Sequence, residues 1–255
     1  MKTRSSILLA AAALLLFSCQ LTAVAPTPTP LPPSTPVPVG NPGEVSLDYS
    51  AVAQNISLET VPAAAATPGG PYWEGAPAYL RYTLQGYPVT TNPRMPQIFI
   101  FKVADMAPAN AAMAQYAADL QTLLQNHQAG NQIPFLPISS ESQMFRACME
   151  FVDFKNGQGV VFLTLLGQGV KLVNNSDLIL AFQGLTNDGK YYLSAILPVT
   201  QADLPADGAS GQLPDMSGLS SYLNNTIKML DDQPAGSFTP SLEALNALVR
   251  SIEVK

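Results

Sequence analysis

The side chains able to move protons, hold metals or attack carbonyls are few in this chain. His127 is the only histidine, and Cys19 and Cys148 are the only cysteines, among 255 residues. One imidazole and two thiols fall short of the four protein N/S ligands of an ordinary zinc site. A Ser-His-Asp arrangement would have to run through His127, and no serine sits in a Gly-x-Ser-x-Gly elbow. His127 follows Leu124 by three residues at the end of a predicted helix, a place where imidazole meets the negative end of the helix dipole. Cys148 lies in a strand-like run, 145–154, with no histidine near it in sequence to lower its pKa, and reads as a buried, inert thiol.

Carboxylates offer little more. Glu150 and Asp153 are three apart on a predicted strand, which sends them to opposite faces. Asp203, Asp207 and Asp215 share one polar stretch without the D-x-D-x-D-G spacing of a calcium loop, and read as solvated loop acids. Gly157-Gln158-Gly159 and Gly167-Gln168-Gly169 lack the third glycine and the following helix of a phosphate-binding loop, and read as hairpin turns or bulges. No metal or cofactor is implied. The best binding candidate is aromatic: Tyr72 and the single tryptophan, Trp73, in a loop, with Tyr191 and Tyr192 leaving a hairpin turn. Together they would make a stacking surface for a sugar or an apolar ligand. The default reading places Trp73 and one of each tyrosine pair at the edge of the core.

The N-terminus carries the strongest signal. Lys2 and Arg4 precede an unbroken apolar run, 7–17, the length of a secretory h-region and too short for a bilayer span of ~20 residues. It ends in Leu16-Phe17-Ser18-Cys19, which resembles the bacterial lipobox, in which the cysteine sulfur receives a diacylglyceryl group before cleavage ahead of it. The resemblance implies that 1–18 is a lipoprotein signal peptide and that Cys19 carries the anchor. Two or more acyl chains, at about 0.8 kcal/mol per buried methylene, hold stably to a membrane. Residues 20–43 contain no charge, and eight of the chain's 23 prolines fall between Pro26 and Pro42. Such a Pro/Thr-rich segment forms no packed structure and favours polyproline II, so 19–43 is expected to be a disordered, semi-rigid spacer from the anchor.

Cleavage would remove Lys2 and Arg4 and leave ten basic against eighteen acidic residues. Nucleic acid is then an unsuitable partner, since binding it needs clustered lysine and arginine. Attraction to anionic headgroups is disfavoured too, so the lipid alone would hold the protein at the membrane. The expected location is a cell membrane or outer membrane, facing the extracytoplasmic side. Hydrophobic content of 47% with 12% charged residues suffices for a sizeable core.

The elements that must position any site lie in one domain, 44–255. Residues 45–49 read as a short strand, 50–60 are ambiguous, and 78–84 and 97–103 read as strands, the second nearly all apolar. A helix over 108–128 has Met113, Tyr116, Ala117, Leu120, Leu123 and Leu124 on one stripe. Two hairpins follow: 144–154 with 160–166 around Asn156-Gly157, and 178–185 with 191–199 around Asn187-Asp188-Gly189, both using glycine for positive φ. These four strands form a meander. A helix from Leu219, a second with Thr239 as N-cap and Pro240 at its first position, and a closing strand in 251–254 complete the chain. The class is α+β: an antiparallel meander sheet of about six strands with helices packed on it, α/β/α-sandwich-like.

Phe182-Gln183-Gly184-Leu185, Asp188-Gly189-Lys190-Tyr191-Tyr192, Leu197-Pro198-Val199 and the ending Phe238-Thr239-Pro240 to Ser251-Ile252 resemble a group of uncharacterised bacterial membrane-anchored lipoproteins. More loosely, the element order is similar to the PsbP-like fold, an α/β/α sandwich of extrinsic photosynthetic proteins and small lipoproteins. The expectation is a non-enzymatic binding or scaffolding domain at the envelope, with an envelope protein or glycan as partner. The alternatives are a carboxylate-dependent, glycan-directed envelope hydrolase, which needs two acids about 5 to 10 Å apart in one cleft, and an assembly factor of a membrane complex, implied only by the looser resemblance.

Overall fold

The computed structural model describes residues 45–130, 132–209 and 211–255. The segment 1–18 read as a signal peptide, Cys19 and the Pro-rich segment therefore lie outside the described residues.

Seven strands form one antiparallel sheet: β1 (Asn55–Val61), β2 (Tyr79–Gln85), β3 (Gln97–Lys102), β4 (Ala147–Phe154), β5 (Gly157–Thr164), β6 (Ile179–Thr186) and β7 (Tyr191–Pro198). Their order is β1-β2-β3-β7-β6-β5-β4. It is two meanders joined where β3 pairs with β7, Tyr192 opposite Phe101. The strand in the ambiguous stretch is β1, the exposed edge, where polar Asn55, Ser57 and Glu59 alternate with half-buried Ile56 and Leu58. Of the strand expected at 45–49 only Val45–Ser46 is paired, with Glu253–Val254, off the main sheet.

Strict alternation splits the apolar residues between two cores. Ile98, Ile100, Val161, Leu163, Leu180 and Phe182 point to one face, and Phe99, Phe101, Val160, Phe162, Ile179 and Ala181 to the other. Because both faces are covered, β6 is buried along its whole length, which explains its nearly unbroken apolar sequence. The first face is closed by α3 (Leu219–Asp231) and α4 (Leu242–Ser251) through Leu230, Leu245, Leu248 and Val249. The second is covered by α2 (Ala111–Asn126) and the connection that follows it, through Met113, Ala117, Leu120, Leu124, Ile133 and Leu136.

Three local expectations are corrected. The helix expected at 108–128 is broken: α1 (Met106–Ala109) stops at Asn110, which is extended (φ −160°, ψ 112°) and caps α2 by accepting a hydrogen bond from Ala112 N at 2.9 Å. The last helix is capped by Ser241, whose hydroxyl accepts from Ala244 N at 3.2 Å, while Thr239 pairs with Thr200. Gly157 does not use positive φ and, like Gly159, lies in β5 rather than in a turn. A Cβ on Gly157 would sit 2.0 Å from Phe154 Cζ, and one on Gly159 2.4 Å from Phe182 Cε2. These glycines make room for two rings that meet edge-on, centroids 5.9 Å apart. Gly189 does take φ +68°, as the second hairpin demands.

Candidate binding cleft

The face covered by α2 carries a cleft, and three pieces of chain build it. The first is the loop 62–78 between β1 and β2. Reciprocal bonds of 2.9 Å between Ala64 and Ala76 close its base, and the Glu74 carboxylate accepts from Thr67 N at 3.1 Å. Asn110 fastens this loop to α2: its Nδ2 donates toward the carbonyl oxygens of Tyr72, Glu74 and Gly75 at 2.9, 2.8 and 3.2 Å. One amide thus caps the helix and fixes the aromatic loop. Tyr72 and Trp73 stay 57% and 41% exposed there, edge to face with centroids 5.2 Å apart.

The second piece is α2 itself, whose Tyr116 and Asp119 line the cleft. Spaced three apart, they are neighbours on one helix face. Burial pushes the Tyr116 phenol above its ordinary value, with smaller contributions from Tyr72 and Asp119, so the three groups share one environment.

The third piece is the connection 132–143, an irregular segment held down by side chains of the sheet. Gln183 Oε1 accepts from Leu136 N at 3.0 Å, which fixes the orientation of the amide, and Gln183 Nε2 donates to Ser194 Oγ at 2.9 Å. Ser194 Oγ in turn donates to the Leu136 carbonyl. The Tyr192 hydroxyl donates to Gln183 Oε1 at 2.7 Å, with the Pro134 carbonyl 3.1 Å away as a second acceptor. All three side chains are fully buried, and burial raises the Tyr192 pKa well above its ordinary value. Gln143 clamps the upstream end, donating to the Ile133 carbonyl and accepting from Ile133 N at 3.3 Å. A backbone segment whose only ladder is the short pairing of Ser142–Gln143 with Leu166–Gly167 thereby meets its polar groups through side chains of the sheet.

The enclosed volume is about 230 Å³, lined by Tyr72, Tyr116, Asp119, Phe135, Ser139, Glu141 and Gln143, among others. Glu141 meets Arg94 at 2.6 Å, and Asp119 accepts from Gln115 at 2.8 Å. Exposed rings beside hydroxyls, amides and carboxylates suit a polyhydroxylated ligand, which stacks its C–H face and hydrogen-bonds its rim.

Of the four aromatic residues singled out in the sequence, Tyr72 lines this cleft, and Trp73 lies beside it in the loop, edge-on to its ring. Tyr191 and Tyr192 do not join them, because successive residues of a strand point to opposite faces. Tyr192 is beneath the cleft as an anchor, and Tyr191 borders a separate cavity of about 80 Å³ with Tyr79, Lys102 and Asp105. The predicted surface of four rings is therefore a surface of two, completed by Tyr116. Tyr116, Asp119, Glu141 and the buried Gln183–Ser194 pair were not foreseen. The readable signal was a lone glutamine and a lone serine inside otherwise apolar strands.

The remaining candidates sit elsewhere. His127 is exposed in the left-handed conformation (φ 51°) at the C-cap of α2, its ring 4.7 Å edge-on from Phe151. Cys148 is half-buried at a bulge in β4, donating its thiol to the Leu230 carbonyl at 3.3 Å while its backbone N–H donates to Asp231. Burial, then the Asp231 charge, pushes its pKa up to about 11, so the thiol stays protonated at neutral pH. Glu150 is paired with Arg250 at 2.7 Å, across the sheet from the face that Asp153 occupies. Asp203 and Asp215 serve local contacts with Gln233 and Ser217. Among the described residues no group of three His, Cys, Asp or Glu converges on a metal position, and no helix is long and apolar enough to cross a membrane. The chain matches no protein-family model, no curated protein and no solved structure.

Proposed function

We propose that this protein is a cell-envelope lipoprotein whose domain binds a glycan without turning it over. Acylation at Cys19 holds it to the membrane, the Pro-rich segment spaces it from the surface, and the cleft captures the ligand. One observation carries the reading: Tyr72, in a loop fixed by Asn110 and edge-on to the exposed ring of Trp73, lines a polar cleft. Two large rings held in water at such a place serve recognition better than folding. The test has two parts. Mass spectrometry of the N-terminal peptide should find a diacylglyceryl thioether on Cys19. Retention of the full-length protein on immobilised envelope glycan should fall about tenfold in Tyr72→Ala, the scale of losing an aromatic anchor. Unmodified Cys19 with protein free in the medium removes the anchor, and unchanged retention removes the cleft.

The hydrolase reading draws on Asp119 and Glu141 lining one cleft. It requires a proton donor and a base, whereas the Glu141 charge is already spent on Arg94. Release of new reducing ends from a glycan by the wild type, lost in Asp119→Asn, would promote it over the binding reading.

A further inference from the structure

The cleft has a charge as well as a shape, and this inference rests on the glycan reading given above. Asp119 and Glu141 line it with the rings of Tyr72 and Tyr116, and no lysine or arginine does. The two acids are not equivalent. Glu141 is compensated by Arg94 at 2.6 Å, whereas the partner of Asp119 is the neutral amide of Gln115 at 2.8 Å. Asp119 therefore brings an uncompensated negative charge to a wall it shares with Tyr116, whose neighbour is Tyr72. Carboxylate beside aromatic faces is the pairing that holds an ammonium, by ion pairing and by the ring quadrupole together. A carboxylate-bearing sugar would meet like charge and no basic side chain to receive it. An N-acylated sugar would bring the same ring and hydroxyls but leave Asp119 unpaired.

We infer that the cleft selects a saccharide bearing a free amino group, its ammonium held between the Asp119 carboxylate and the rings of Tyr72 and Tyr116. Selection arises from one charge on the protein and one on the sugar, so it weakens as salt rises. At about 1 M salt the screening length falls to ~3 Å and an exposed pair retains little of its attraction.

Titration calorimetry on the full-length chain with two tetrasaccharides tests it: a glucosamine tetramer and its fully N-acetylated counterpart. They share ring, hydroxyls and linkage and differ at the nitrogen, an ammonium in one and a neutral acetamide in the other. The glucosamine form should bind about tenfold more tightly, the scale of a partly desolvated cation–π and ion-pair contact. Asp119→Asn, an exposed position on α2, should abolish that preference. Equal affinity for both sugars overturns the charge selection and leaves the glycan reading standing. A preference that survives Asp119→Asn overturns the role of Asp119. Binding of neither sugar, with the fold intact by thermal unfolding, overturns the glycan reading and this inference with it.

Discussion

The two faces of the sheet are finished differently, and the difference locates the site. On the face closed by α3 and α4 the sheet presents leucine, valine, isoleucine and phenylalanine, and two helices lay their own apolar stripes on them. On the other, α2 covers part of the sheet and an irregular connection covers the next part, pinned by Gln183, Ser194 and Tyr192. A helix satisfies its own backbone and can close a surface flush. A connection must borrow hydrogen bonds, and where it bends away a cleft remains. One buried tyrosine on each face states the contrast compactly: the Tyr82 hydroxyl has no partner among the described residues, whereas that of Tyr192 is bonded.

The largest expected effect lies on the closed face. Leu245→Ala, fully buried against the sheet, should cost about 3 kcal/mol in urea unfolding and leave glycan affinity unchanged once the protein is folded. On the open face Gln183→Leu strands the Leu136 N–H and removes the donor to Ser194 Oγ, whose own bond to the Leu136 carbonyl remains. It should cost about 2 kcal/mol and, unlike Leu245→Ala, also weaken ligand binding, because the 132–143 wall loses its anchor. If both substitutions alter stability alone, the functional asymmetry of the faces is gone.

The tyrosine pair sharpens the comparison. Tyr192→Phe should cost about 1 kcal/mol, whereas Tyr82→Phe should be neutral or stabilising, since it deletes a hydroxyl buried without a partner. The smallest effect is on the alkaline limb. Burial raises the Tyr82 phenol from 10.0 to about 12 and the Cys148 thiol from 9.0 to about 11, so the unfolded chain releases these protons first. Their contribution to stability is complete below pH 9.0 and is lost as pH rises toward about 12. Melting temperatures measured across that window should fall less steeply in Tyr82→Phe. Native Cys148 should react slowly with an alkylating reagent at pH 8, about tenfold slower than an ordinary free thiol of pKa near 8.5.

The sheet was largely legible because short runs of β-prone apolar residues bounded by turn residues are a local signal, as in 97–103 and both hairpins. Asn110 was not, since its role depends on carbonyls of the loop 62–78, far away in sequence. Gly157 reads as a turn residue from sequence but lies in β5, because the Phe154 ring that demands its missing side chain meets it only in the folded hairpin. Tyr72 and Trp73 were picked out by residue type and loop context, but their partner Tyr116 was absorbed into a buried helical stripe. A residue at the border of such a stripe belongs to core or cleft according to what covers it, and periodicity does not record that. Tyr191 and Tyr192 failed together by adjacency, since neighbours along a strand cannot share a face.

Trp73 is the only tryptophan in the chain and its ring lies edge-on to that of Tyr72, which lines the cleft, so its fluorescence reports on the central claim. Adding glucosamine tetramer to the full-length protein should shift Trp73 emission saturably to shorter wavelength, and Tyr116→Ala should remove the response while leaving the thermal unfolding cooperative. Emission that stays unchanged up to millimolar sugar, or that shifts equally in wild type and Tyr116→Ala, would contradict the assignment of the cleft as a binding site.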